Sequence, residues 1–270
     1  MSTEPELLAL TDAEMVVVLA AMDESLEPFL TTSNLLELNQ DELKTRLVAA
    51  RAKLLAHDIV FGSAAGGPIG VDPAVGTALK RIPQMQVAFE LMQATRGQPP
   101  NRLRFVVDEH GVLAYRLSFM DSADSDANQF WALPSVQAAT QWATRTLQLP
   151  QVEQPATEKT FLIPHVVMSA LAAPATTAHN DLAALLRTVG MSDEEAASFM
   201  AAGLNPVAQG TFTRLAQKAD KVQAGAILWF FDAATGWLIS NFNENGNVVL
   251  VRATANDLKA ALNSLMQKEP

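Results

Sequence analysis

"VVDEHGVLAYRLS", residues 106–118, and "FFDAATGWLIS", residues 230–240, share one pattern. Each is an apolar run, an Asp, a short turn ending in Gly, and a second apolar run. That is a β-hairpin written twice, with Asp favouring the turn and Gly supplying backbone freedom at its end. The elements around each copy match as well. Upstream of the first lies "PQMQVAFELMQ", where Met85, Val87, Phe89 and Leu91 alternate with polar or small residues at strand period. "RLRFVVD", "VLAYRLSF" and "NQFWALP" add three strands, and "SVQAATQWATRTLQL" is a helix capped by Ser135. Around the second copy stand "GTFTRLAQ", "AILWFFD", "GWLISNFN" and "NVVLVRA", then the helix "TANDLKAALNSLM" capped by Thr254.

The order predicts an α+β protein of two pseudo-symmetric halves. Each half has a helical part, a four-stranded antiparallel sheet and a closing helix. The polar, Pro-containing "PQVEQPATEK" separates residues 1–150 from residues 151–270. In the first half Thr11 and Glu14 form a capping box for "LTDAEMVVVLAAM", and a second helix runs from Gln40 to His57. Its buried stripe is Leu43, Leu47, Ala50 and Leu54. A Gly-rich hairpin, "IVFGSAAGGPIGVD", and a short helix opened by Pro73 follow, a winged-helix-like layout. In the second half "IPHVVMSAL", "HNDLAALLRTVG" and "MSDEEAASFMAAG" read as helices, the third with a capping box from Ser192 to Glu195.

Composition narrows the function. The 270 residues are 49% hydrophobic and 18% charged, which suits a chain that buries a sizeable core. The net charge of -10 opposes nucleic acid and anionic membranes at long range. With no Cys, thiol chemistry, disulfides and Cys metal sites are excluded, and a reducing compartment fits. "MSTEPELLAL" has no basic segment before an apolar one, and "MVVVLAAM" is far shorter than the roughly 20 apolar residues of a membrane span. The expectation is a cytoplasmic protein.

No motif announces a reaction. "GSAAGGPIG", residues 62–70, runs into Pro68, Ile69 and Gly70 rather than a helix N-terminus with Lys and Ser/Thr, so it is a wing and not a phosphate loop. His57, His110, His165 and His179 stand at no metal-ligand spacing. "DSADSDAN", residues 121–128, lacks the central Gly and closing Glu of a calcium loop. No GxSxG is present. A recognition helix would gather its cations on one face. At about 100° per residue, Lys44 and Arg51 instead flank the Leu43 stripe on one side, and Arg46 and Lys53 on the other. No cofactor, metal or catalytic residue is assigned.

"MSDEEAASFMAAG", "GTFTRLAQ", "FFDAATGWLIS" and "NVVLVRATANDLKAAL" together resemble the C-terminal half of the EspG family. "LTDAEMVVVLAAM", the Gly-rich hairpin and "DPAVGTALKRI" resemble its N-terminal half. The resemblance implies a pseudo-twofold α+β fold and a non-enzymatic cytosolic chaperone of type VII secretion. Such a chaperone sequesters an apolar helical client, a PE–PPE pair or another WxG-type protein, at the tip of a helical hairpin. Two other readings remain open: a winged-helix nucleic-acid-binding regulator, and a small-molecule-binding protein or enzyme with a deep polar pocket.

The two hairpins differ on one face. Aligning Asp108 with Asp232 sets Arg102, Arg104 and Val106, the expected wet face, against Ala226, Leu228 and Phe230. On the next strand Trp237 and Ile239 join them. Leu228, Phe230, Trp237 and Ile239 are therefore the candidate partner-binding residues, covered by the protein's own helices, by a helical partner or by a second copy in a homodimer. Metal analysis of the purified protein and a thermal-shift screen with nucleotides are expected to be blank. A stoichiometric metal, or a shift of several degrees with one nucleotide, contradicts the reading.

Overall fold

The computed structural model describes residues 7–24, 34–63, 67–82, 84–116, 128–152, 159–164, 178–218, 221–240 and 247–267. They form an α+β fold with seven α-helices and antiparallel sheet, in two compact units. One unit comprises Thr3–Ala88 and Leu103–Ser135, the other Phe89–Arg102 and Val136–Pro270. This spatial grouping departs from the sequence halves at 150/151. The strand Val87–Thr95, from Phe89 on, and the helix Val136–Thr146 group with the second unit although the sequence places them before the linker.

In the first unit the chain runs β1 (Leu8–Leu10), α1 (Asp12–Ala21), a 3-10 turn at Asn34–Glu37, and α2 (Gln40–Ala56). The wing β2 (Val60–Gly62) and β3 (Ile69–Val71) follows, then α3 (Pro73–Lys80), β5 (Asn101–Asp108), β6 (Gly111–Arg116) and β7 (Asn128–Leu133), with β4 (Val87–Thr95) assigned to the other unit. The sheet order is β1-β7-β6-β5. Thr11 and Glu14 make the capping box of α1 reciprocally, at 3.3 and 2.8 Å. Asn39 and Glu42 do the same for α2, and Asp72 caps α3 ahead of Pro73. Leu10, Met15, Val18, Leu19 and Leu79 pack on Val106, Leu113, Tyr115 and Phe130. The expected wet face at Val106 is thus core. The structure corrects that expectation: helices cover this face of the first hairpin too, and Val106 is 1% exposed.

In the second unit β4 lies beside β9 (Ala208–Lys218), followed by β10 (Lys221–Phe231), β11 (Gly236–Ser240), β12 (Asn247–Arg252) and the edge strand β8 (Thr160–Pro164). Its helices are α4 (Val136–Thr146), α5 (Ala178–Thr188), α6 (Asp193–Leu204) and α7 (Ala255–Met266). Strand β8 corrects the reading of "IPHVVMSAL" as a helix: Ile163 and Pro164 belong to a strand paired with β12, and the rest of that stretch lies outside the described residues. Phe161 and Ile163 are buried while Thr160, Leu162 and Pro164 are exposed, the period of a strand. β1, also missed, is the counterpart, pairing antiparallel with β7 as β8 pairs with β12.

The two hairpin turns share one device. The Asp108 carboxylate accepts the His110 N–H at 2.8 Å, and the Asp232 carboxylate accepts the Ala234 N–H at 2.7 Å. A side chain at Gly111 would meet the Leu133 carbonyl at 2.6 Å, and one at Gly236 would collide with the Ala253 carbonyl. Each Gly lets the end of the next strand close in. The registers nevertheless differ. Asp108 pairs with Gly111, whereas Phe231 pairs with Gly236 across a longer loop. Val106 therefore faces Leu113, and Phe230 faces Trp237. Leu113, two residues after Gly111, packs with Val106 under α1 and α3, whereas Leu238, two residues after Gly236, lies on the face opposite Trp237.

Leu228, Phe230, Trp237 and Ile239 line the face beneath α5 and α6. Trp237 and Ile239 are fully buried, Phe230 is 8% exposed and Leu228 is partly buried. Leu182, Leu186 and Phe199 pack on them, and Phe199 meets the Trp237 ring edge-on at 5.5 Å. On the opposite face α7 lies against β9 and β10, with Thr140 of α4 donating to Met266 Sδ at 3.2 Å. The α6 cap is tied to the region before β8: Lys159 Nζ lies 2.9 Å from Glu195 Oε1, and the Ser192 N–H donates to Oε2. Lys159, then the backbone of Ser192, hold the Glu195 carboxyl below its ordinary value.

Ile239→Lys puts an unpaired charge into a dry core and is expected to cost several kcal/mol. Its melting temperature should fall by more than about 10 °C beside the wild type. For Glu195 the folded carboxyl is the stronger acid. Its stabilisation is present above the ordinary value of 4.5 and is lost as pH falls through the lower folded value. Glu195→Gln is expected to flatten the acid limb of a melting-temperature profile below that pH; an unchanged limb contradicts the assignment.

Candidate partner surface

The burial of Phe230, Trp237 and Ile239 removes the four-residue patch as a docking surface, because α5 and α6 already occupy that face. The same face continues along the strands. β9 and β10 pair over eleven residues, from Ala208↔Phe231 to Lys218↔Lys221, and so outrun the helices. Thr211 pairs with Leu228, Thr213 with Ala226 and Leu215 with Ala224. These side chains lie opposite the buried row of Phe212, Arg214 and Ala216.

Strand β4 extends the floor. Phe89 stacks on Phe212 at 5.6 Å, and Leu91 and Gln93 are buried with it, so Met92 points to the other side, the side of Leu215. Met92 is 46% exposed and Leu215 45%. Met92, Thr211, Thr213, Leu215, Ala224 and Ala226 thus form an uncharged floor, apolar but for the two threonine hydroxyls, beside the α6-covered core. Glu90 and Arg102, paired at 2.9 Å, stand at its rim. Sequence reasoning stopped at "AILWFFD" and missed this floor. The signal was present in "KVQAGAILWFF", where Val222, Ala224, Ala226, Leu228 and Phe230 keep one parity through the whole strand.

The first unit carries a groove of about 760 Å³ between α1, α2 and the wing. Leu43, Leu47 and Val48 of α2 form one wall, Val16, Val17 and Ala20 of α1 another, and Pro68 and Ile69 of the wing a third. Arg51 holds the wing in place, its guanidinium donating to the Ser63 carbonyl at 2.6 Å and the Gly67 carbonyl at 3.0 Å. A smaller hollow of about 390 Å³ near Leu8 and His57 contains the Glu14–Lys53 pair, 2.7 Å apart. Arg51 and Lys53, two of the four α2 cations, are therefore engaged by the wing carbonyls and by Glu14, although the Lys53 side chain stays 58% exposed, and the four do not gather on one free face as a nucleic-acid reading of this helix requires.

The remaining sequence candidates are scattered. His57 caps α2 and His110 sits in its turn, both exposed. His165 and residues 121–127 of the acidic loop lie outside the described residues, and His179 falls within α5. Among the described residues no three His, Asp or Glu side chains group as for a metal, and no helix is long and apolar enough to cross a membrane.

No protein-family model matches the chain, and no curated protein matches it in sequence. Among solved structures it is similar to the type VII secretion system chaperone EspG5 of Mycobacterium tuberculosis, solved in complex with a PE25–PPE41 dimer. The TM-score is 0.67 over 97% of this chain and 96% of that one, at 9% sequence identity. The fold of this protein is that of an EspG-type chaperone.

Proposed function

We propose that this protein is a non-enzymatic EspG-like chaperone that holds the apolar helical tip of a PE–PPE-type or other WxG-type client in the cytoplasm for type VII secretion. The observation that carries the reading is the apolar floor of Met92, Thr211, Thr213, Leu215, Ala224 and Ala226, set in a fold shared end to end with EspG5. A helix tip needs area without charge, and this floor supplies it. The floor has a rigid base, because its strands are paired along their length and their other face is packed core. A preformed floor lowers the ordering cost of association. Sequestration follows from simple exclusion: the client's apolar tip is out of water while it rests there, so it cannot pair with another copy. The Glu90–Arg102 pair at the rim offers polar partners for the client's flanks.

Co-expression with a PE–PPE pair from the same genome, followed by size-exclusion chromatography, tests the reading. The wild type is expected to retain the pair. Leu215→Glu and Met92→Glu should lose it, with melting temperatures within about 3 °C of wild type, since both side chains are exposed. Retention by both variants, or failure of the wild type with every PE–PPE pair of that genome, overturns it.

A further inference from the structure

We propose that the groove of the first unit takes a helix of a partner protein, about three turns long, whose apolar stripe is flanked by carboxylates. This site is separate from the client floor and goes beyond the chaperone reading. Its dimensions come from α2. Gln40, Leu43, Lys44, Leu47, Val48 and Arg51 recur at spacings of three and four and present one continuous stripe to the groove. From Gln40 to Arg51 that stripe is about 16 Å long, the length of a short docked helix. On α1 the facing positions include Ala20 and Ala21, whose small side chains let a backbone approach. The third wall is the wing, fixed by the bonds from Arg51 to the Ser63 and Gly67 carbonyls, so the groove is preformed.

Charge decides the chemistry of the occupant. The chain has a net charge of -10, yet the charged residues lining the groove are Lys44 and Arg51, with no carboxylate. Arg51 is committed to the wing. Lys44 is exposed and has no ion-pair partner among the described residues. A cation beside an apolar stripe, against the sign of the whole molecule, matches a helix with Glu or Asp beside its apolar positions. Openness argues against a small ligand. A drug-sized molecule is held with about 70–90% of its surface buried, whereas Val48, in the middle of the wall, is itself 59% exposed.

Fluorescence anisotropy of the full chain with two labelled peptides tests the proposal. Both are designed amphipathic helices of about three to four turns with the same Leu stripe, one flanked by Glu and the other by Lys. The Glu peptide is expected to bind with Kd below about 100 μM and about tenfold tighter than the Lys peptide. Val48→Glu should weaken it about tenfold, and Lys44→Glu should reverse the preference. Leu215→Glu, which alters only the client floor, should bind the Glu peptide as wild type does. The proposal is overturned if neither peptide binds, if both bind equally, or if Val48→Glu binds like wild type. It also fails if dodecanoate displaces the Glu peptide, which makes the groove a small-carboxylate site. A wild-type dimer in sedimentation velocity that Val48→Glu dissolves overturns it as well, since the occupant is then a second copy.

Discussion

A β-strand whose successive residues are all apolar has no face to give to water. Val112–Tyr115 and Gly236–Ile239 are such strands, buried residue after residue. Each must be covered on both sides, and a sheet covered on both sides needs helices at two levels. Much of the architecture follows. In the second unit α5 and α6 close over Phe230, Trp237 and Ile239, and α7 closes over β9 and β10 on the other face. In the first unit α1 and α3 close over Val106 and Leu113.

The requirement also explains where cover stops. Along β10 burial rises toward Phe231, while Gln223 and Ala224 at the other end are exposed. On β9 exposed Leu215 alternates with buried Arg214 and Ala216, and on β4 exposed Met92 alternates with buried Leu91 and Gln93. Strong apolarity on both faces gives way to ordinary alternation, and the outward residues there are mostly small or uncharged, with Met92 and Leu215 exposed among threonines and alanines and Glu90 paired with Arg102 beside them. Small and medium side chains on an unpaired sheet face are costly to leave wet and too weak to recruit a helix of their own. Such a face is suited to hold a partner reversibly.

Local chemistry was plain in the residues. The capping boxes Thr11–Glu14, Ser192–Glu195 and Thr254–Asp257 are each present, because a cap is made by side chains three residues apart and needs nothing distant. The paired hairpins were legible for the same reason, since Asp and Gly define a turn within a few residues. The edge strands β1 and β8 were not. They have three and five residues, and they become strands only because β7 and β12 offer free edges to them. Short apolar runs carry no period long enough to separate strand from helix.

By itself, then, the sequence determined an α+β chain of repeated hairpins, capped helices and no Cys-based chemistry, and its segments resemble those of the EspG family, which implied the fold found. Only the tertiary structure decided which apolar surface is used up. Leu228, Phe230, Trp237 and Ile239 looked like an open patch because alternation tells which residues share a face, not what lies on top of that face. The cover, Leu182, Leu186 and Phe199, comes from helices some 30 to 60 residues away, and no local pattern links them to β10 and β11. The same distance hid the floor at Met92 and Leu215, which exists because two strands more than a hundred residues apart lie side by side in one sheet.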